Sequence, residues 1–145
     1  MEWVALATWV LTAGGGFVLL GLWLRHGGME QSEGPAARIR SARILGHFAL
    51  AATGLVLWII YVATDSEALA WVAFVLLLAV AAIGFSMLAI WLGQRRREPA
   101  AAAAGTNGTQ PAEQNFPVPI VALHGVLAAV TLVLVLLTAA GVGES

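Results

Sequence analysis

Four long apolar segments constrain this chain more than any other feature. They run from Trp3 to Leu24, Ile44 to Ala63, Ala68 to Leu92 and Val118 to Ala140. About 20 consecutive apolar residues suffice for a helix to cross a bilayer. Only 10% of the residues are charged, against about 25% in soluble domains. The sequence therefore predicts an all-α integral membrane protein with one domain, a four-transmembrane-helix up-down bundle.

The positions of the arginines predict how these helices are oriented. All seven basic residues are arginines, and they fall in or beside loops 25–43 and 93–117, whereas loop 64–67 has none. By the positive-inside rule, the two long loops are cytoplasmic, and loop 64–67 and both termini are outside. The absence of lysine beside abundant Ala, Gly and Val is typical of a GC-rich bacterial genome. We therefore expect a multi-pass protein of the bacterial inner membrane.

Two further expectations concern the ends of the helices. The long loops are rich in Gly, Ala, Pro and polar residues, which favours flexible linkers. Aromatic residues near the ends of spans are typical of belts at the membrane interface. We expect such belts at both faces, formed by Trp23 and Trp91 on the cytoplasmic side and by Trp3, Trp58, Tyr61 and Trp71 on the outer side.

The four segments contain an internal repeat. From His47 the chain reads HFALAATGLVL, and from His124 it reads HGVLAAVTLVL, so that seven of eleven positions agree. From Gly16 it reads GFVLLGLWL, and from Gly84 it reads GFSMLAIWL, with five of nine positions in common. These matches predict a tandem repeat of a two-helix unit. Because each unit crosses the membrane twice, its copies are related by a pseudo-two-fold axis along the membrane normal.

This symmetry predicts that His47 and His124 face each other. In an up-down-up-down bundle the second and fourth helices are diagonal neighbours, and equivalent residues lie at equal depth. An ionisable residue inside a span is costly and indicates a functional site. Two facing imidazoles suit the two axial positions of a haem iron, and one haem is expected. Small residues would make room for the flat macrocycle, and they are Gly46, Ala51, Gly54, Gly125, Ala128 and Thr131.

Cations near the cytoplasmic end would bind the haem propionates. Arg43 lies one turn before His47 on the same helix face, and Arg25 and His26 end the first helix at the same level. Arginine suits a charge-assisted contact with a carboxylate. The predicted cofactor site therefore comprises His47 and His124 as iron ligands, together with these three cations and the small residues.

Two diagonal helices with one inward histidine each resemble the b-type cytochromes of the cytochrome b561-like class. The resemblance covers the four-helix core and implies a haem b held by two histidines and a role in electron transfer. Members of that class carry two haem sites stacked across the membrane, whereas this chain has no second histidine pair on the outer side. The resemblance therefore implies a single-haem relay or a haem-bearing anchor subunit. Its expected partners are the lipid bilayer and quinone or a larger respiratory or redox complex.

Other functions remain open at this stage. The histidines are also compatible with helix–helix hydrogen bonding in an accessory or assembly subunit, or with a three-histidine metal site that recruits His26. The chain has no cysteine, which excludes disulfides and thiolate ligands. No nucleophile–base pair or phosphate-binding loop is visible, so a non-enzymatic role is expected. No nucleic-acid partner is expected, and a homo-oligomer is compatible with the sequence.

Overall fold

The computed structural model describes residues 1–34, 37–103 and 110–142, with only the backbone described at 98–103. The helices are α1 (Glu2–Arg25), α2 (Gly28–Ser32), α3 (Ser41–Thr64), α4 (Glu67–Ala103) and α5 (Val118–Ala139), with a 3-10 helix at Ala112–Asn115. Within the described residues there is no strand. Four of the helices, α1, α3, α4 and α5, are long and apolar enough to cross a membrane, which confirms the four predicted segments.

The four long helices form a bundle in which α3 and α5 are diagonal to each other. α1 packs against α3 and α5, and α4 packs against the same two helices. The α3–α4 turn and the start of α1 lie at one end of the bundle, which we call the turn end. The connections from α1 to α3 and from α4 to α5 lie at the other end, which we call the loop end.

Local chemistry explains where these helices begin and end. Asp65 has a φ of 52°, in the left-handed region that Asp tolerates better than most residues, and it ends α3 while Ser66 starts the next helical turn. α5 begins after Pro117 and has a proline in its first turn, where a missing N–H costs nothing. Gly27, with a φ of 73°, turns the chain from α1 into α2.

The described parts of the long loops are folded onto the bundle, so the expectation of flexible linkers is wrong for them. α4 continues to Ala103, well beyond the predicted end of its apolar segment. α2 and the 3-10 helix meet over the loop end, where the Ala112 N–H donates to Gln31 Oε1 at 2.9 Å. Gly28 packs so closely on the Trp23 indole that an added Cβ would lie 2.3 Å from it. Residues 35–36 and 104–109 lie outside the described residues.

Only some of the residues predicted to form aromatic belts are exposed. Trp3 and Trp71 are 66% and 44% exposed, as side chains at a lipid interface should be. Four others, however, are buried inside the protein, and they are Trp23, Trp58, Tyr61 and Trp91. Burial excludes these four from a belt, because a belt residue must contact lipid headgroups. The hydropathy of a segment does not tell which of its faces packs against a neighbouring helix.

The hydrophobic core lies in the turn-end half of the bundle. Trp9 on α1 contacts Trp58 on α3, with ring centroids 6.3 Å apart, and Trp58 contacts Tyr61 at 4.8 Å. The Trp58 indole N–H also donates to the backbone oxygen of Glu2 at 3.4 Å. Val135 completes this cluster from α5. This half of the bundle is therefore filled by protein side chains.

Replacing Trp58 by alanine should destabilise the bundle strongly. The Trp58 side chain is fully buried, and removal of a buried tryptophan costs about 3–5 kcal/mol because a cavity remains. The matched control is Trp71→Ala, at an exposed tryptophan, for which a change within about 0.5 kcal/mol is expected. Denaturant unfolding in detergent measures both. Equal losses for the two variants would contradict the packing described for Trp58.

Candidate functional site

The structure brings His47 and His124 together across the bundle. Each histidine is the seventh residue of its helix, α3 for His47 and α5 for His124. The two helices are diagonal, and their imidazole centroids are 6.4 Å apart at an interplanar angle of 63°. The pair therefore lies about two turns in from the loop end, on the shared axis of the four long helices.

A backbone carbonyl of a neighbouring helix binds each imidazole through Nδ1. His47 Nδ1 lies 3.0 Å from the Val80 oxygen on α4, and His124 Nδ1 lies 2.9 Å from the Thr12 oxygen on α1. A helical side chain covers the turn that precedes it, so residue i+4 normally shields the carbonyl of residue i. In both helices that shielding residue is a glycine, which leaves the carbonyl open to the histidine.

The two shielding positions are Gly16 on α1 and Gly84 on α4. A Cβ added at Gly16 would lie 3.2 Å from His124 Cε1, and one added at Gly84 would lie 3.1 Å from His47 Cε1. Such a Cβ at Gly46 or Gly125 would meet nothing within 4 Å. Gly16 and Gly84 therefore contact the imidazoles, whereas Gly46 and Gly125, which are predicted from the sequence because they adjoin the histidines, do not.

Around the histidines, four stretches of helix contain half-buried and exposed residues but none that is fully buried. No residue is buried in 13–22 of α1, 42–53 of α3, 81–90 of α4 or 118–130 of α5, all of which the structure describes. Ten helical residues correspond to about 15 Å along the axis. The nearest buried residues are Thr12 and Val80, whose backbone oxygens bind the two imidazoles. We call these four stretches of helix the histidine layer.

Side chains close the histidine layer on its turn-end side. Gly54 is predicted from the sequence to make room for the cofactor, but the Trp9 indole packs against it. A Cβ added at Gly54 would lie 3.1 Å from the nearest atom of that indole. Thr131, at the matching position of α5, lies with its hydroxyl 3.3 Å from that of Thr12. The predicted residues nearer the histidines, Ala51 and Ala128, are only partly buried. Two turns beyond the histidines, the position of Gly54 is therefore closed by a side chain.

The predicted propionate-binding cations stand apart from the histidines. Arg43 is exposed and lines a groove of about 520 Å³ between α3 and α4, which also includes Gly46, Ala82 and Ser86. Arg25 and His26 are exposed at the end of α1, and His26 Nδ1 lies 2.7 Å from the Leu22 oxygen. In the described part of the chain, no hydrogen bond or ion pair joins any of the three to the histidine pair. Their contact with propionates stays a prediction.

The donor set of the site suits a metal that needs two protein ligands. Among the described residues, no group of three or more His, Cys, Asp or Glu side chains is close enough to hold a metal ion. The three-histidine site with His26 therefore does not form there. Two imidazoles on opposite sides of one metal, with bonds of about 2.0–2.1 Å, would have ring centroids about 6 Å apart. The 6.4 Å observed for His47 and His124 fits this arrangement.

The loop end holds a buried acid that sequence reasoning missed. Glu113 in the 3-10 helix is 5% exposed, and its Oε1 accepts a hydrogen bond from Gln94 Nε2 at 3.0 Å. Its backbone oxygen accepts from Trp91 Nε1 at 2.9 Å. Glu113 lies in a loop of polar residues, so only the tertiary packing of that loop reveals its burial. Trp91, next to the end of the third apolar segment, was the one available signal.

Comparison with protein-family models, with curated proteins and with solved structures finds no match to this chain.

Proposed function

We propose that this chain is a multi-pass protein of the bacterial inner membrane that binds one haem b between His47 and His124 and relays electrons. The facing pair of imidazoles carries this proposal. Their ring centroids are 6.4 Å apart, and each ring bonds a backbone oxygen through Nδ1, so Nε2 of both rings would be available to the iron. Haem b supplies one-electron chemistry through the interconversion of ferric and ferrous iron.

The carbonyl contacts prepare both histidines to act as ligands. When Nδ1–H donates to a backbone oxygen, the lone pair remains on Nε2, and metal-binding histidines are typically oriented in this way. In the described part of the chain, neither Nε2 has a hydrogen-bond partner. The Thr12 and Val80 carbonyls would thus fix the ring orientation and the tautomer. Gly16 and Gly84 would give the imidazoles access to those carbonyls.

The matching contacts also support the proposed two-fold repeat. The sequence alignment pairs His47 with His124 and Gly84 with Gly16. In the structure the histidine of each unit contacts the glycine of the other unit and the carbonyl four residues before it. Reciprocal contacts of this kind are expected at a two-fold axis. We propose that this axis runs along the membrane normal, with the loop end on the cytoplasmic side.

The filled turn-end half favours one haem rather than two. The indoles of Trp9 and Trp58 occupy the bundle where a second macrocycle would have to lie. Electrons would therefore be received and released at the loop-end side of the membrane. A partner complex or a quinone would have to carry them further.

A second candidate is a structural role in an accessory subunit, and the same carbonyl contacts favour it. Each histidine ties its helix to a neighbour through Nδ1, and such interhelical hydrogen bonds contribute about 0.6 kcal/mol on average in membranes. This role would use Nδ1 alone. It does not explain why Nε2 of both rings is left without a hydrogen-bond partner in the described part of the chain.

Haem content of the purified protein distinguishes the two candidates. We expect about one haem per chain after expression with ample haem and purification in detergent, measured as the alkaline pyridine complex against protein concentration. Metal analysis of the same sample should find iron at the same ratio and neither zinc nor copper. A folded protein without haem would contradict the haem proposal. Copper in place of iron would contradict the haem proposal and show that the two histidines bind a different metal.

A further inference from the structure

The groove between α3 and α4 opens onto the outer surface of the bundle. It has a volume of about 520 Å³, and its lining consists of one arginine and five uncharged residues, which are Arg43, Ala42, Gly46, Ala82, Ile83 and Ser86. Four of these six are exposed, so a molecule in the surrounding bilayer can reach the groove. A Cβ added at Gly46 would meet nothing within 4 Å, so none of the described side chains fills the space beside it.

Arg43 lies at the end of the groove that is nearest the membrane surface. From Arg43 to its last residue, Thr64, α3 rises about 30 Å, which equals the thickness of a hydrocarbon core. With the turn end at one boundary of that core, Arg43 lies at the other, where the phosphate groups begin. From there the lining continues towards the turn end, to Gly46 along α3 and to Ala82 along α4. The groove therefore joins a cation at headgroup depth to uncharged residues at acyl-chain depth.

The guanidinium of Arg43 forms neither an ion pair nor a hydrogen bond within the described part of the chain. The carboxylate of Glu33, close to the start of α3, accepts a hydrogen bond from Ser41 Oγ. Ser86 Oγ donates to the Ile83 oxygen of its own helix at 2.6 Å, so Arg43 is the donor that the groove offers to an anion. An ionised side chain at the edge of the hydrocarbon core is costly without a counter-charge.

We infer that this groove binds one anionic phospholipid from the loop-end leaflet. Its phosphate contacts Arg43, because arginine forms two parallel hydrogen bonds with a phosphate group and anionic headgroups attract basic residues. One acyl chain lies along Gly46 and Ala82 towards the turn end. Neither histidine lines the groove, so a lipid phosphate suits Arg43 better than a haem propionate. This lipid site does not depend on the proposed haem.

Native mass spectrometry of the purified full chain tests the lipid site. The protein is equilibrated with detergent micelles that contain equal amounts of phosphatidylglycerol and phosphatidylcholine, and the lipid that stays bound is identified and counted. We expect one phosphatidylglycerol per chain, in preference to phosphatidylcholine. Arg43→Gln should lower this preference about tenfold, as is typical when a hydrogen bond to a charged group is lost. Arg96→Gln is the control, because Arg96 is exposed on α4 and does not line the groove.

Gly46→Leu tests the apolar part of the groove without changing its charge. The leucine side chain would occupy the space along which the acyl chain lies, so the bound phosphatidylglycerol should be lost. Gly125→Leu is the matched control. A Cβ at Gly125 also meets nothing within 4 Å, but Gly125 lies on α5 outside the groove, so this variant should retain the lipid.

Four results would overturn the lipid site. They are equal binding of the two lipids by the wild type, equal losses in Arg43→Gln and Arg96→Gln, wild-type binding by Gly46→Leu, and retention of an inorganic phosphate ion in place of a lipid. If Arg43→Gln does not fold, as judged by circular dichroism, the wild-type preference and the pair Gly46→Leu and Gly125→Leu decide. Haem content is measured separately, so failure of the lipid site leaves the proposed function as it stands.

Discussion

Replacing His47 or His124 by alanine should abolish haem binding to the same extent. Both imidazoles are the seventh residues of diagonal helices, with centroids 6.4 Å apart, so each variant removes one of the two proposed iron ligands. The double variant should lose no more than either single variant, since groups that act as a unit are strongly non-additive. The measurement is haem per chain in purified samples, with helix content by circular dichroism as the check on folding.

His26→Ala is the matched control for these variants. His26 is exposed at the end of α1, and its ring forms a hydrogen bond with the Leu22 oxygen of the same helix, so haem content should stay at the wild-type level.

A purely structural role of His47 and His124 predicts a different pattern. Loss of one interhelical hydrogen bond would then cost about 0.6 kcal/mol, and at most about 1.7 kcal/mol. Iron would be absent from the wild type as well.

Adding a single methyl group at Gly16 or Gly84 should disrupt the site almost as strongly. The new Cβ would lie 3.2 Å from His124 Cε1 or 3.1 Å from His47 Cε1, so the imidazole would have to shift by a few tenths of an ångström and its hydrogen bond to the carbonyl would be distorted. Loss of a partner that orients a metal-binding histidine typically lowers metal affinity about 10–100-fold. Overpacking should also destabilise the protein by about 1–3 kcal/mol. Haem titration of the purified variants measures the first effect.

Both helices offer a control glycine for this experiment. A Cβ at Gly14 of α1 or at Gly93 of α4 meets nothing within 4 Å, so Gly14→Ala and Gly93→Ala should bind haem as the wild type does. These controls carry the same change in helix propensity as the test variants. If the control and test variants lose haem equally, the close approach of glycine to the imidazoles has no role in binding.

Hydropathy and position were sufficient to predict the four long helices and the diagonal placement of the histidines. A bilayer-length apolar segment has few alternatives to a helix, and successive spans are antiparallel because each one crosses back over the membrane. The placement of the histidines then follows from the internal repeat, which puts His47 and His124 at matching positions of the second and fourth segments. Their carbonyl partners did not follow, because the identity of the contacting residue depends on how the four long helices rotate about their axes.

The burial of Trp23, Trp58 and Trp91 could not be predicted for a related reason. A tryptophan near the end of an apolar segment fits an interfacial belt and a packed core equally well until the facing helix is known. The contacts at the loop end could not be predicted from the sequence either. Gln31, Gln94 and Glu113 form hydrogen bonds with residues that are 19 to 81 positions away in the chain. Polar loops of this kind are predicted to be linkers because their composition does not reveal which residues they contact.

The reduced-minus-oxidised optical spectrum of the purified protein tests the central proposal most directly. With His47 and His124 as axial ligands, the oxidised protein should show a sharp Soret band that shifts on reduction by dithionite. Resolved α and β bands should then appear, and all of these features should be missing from His47→Ala and His124→Ala. A featureless spectrum from a folded protein expressed with ample haem would contradict haem binding in the histidine layer.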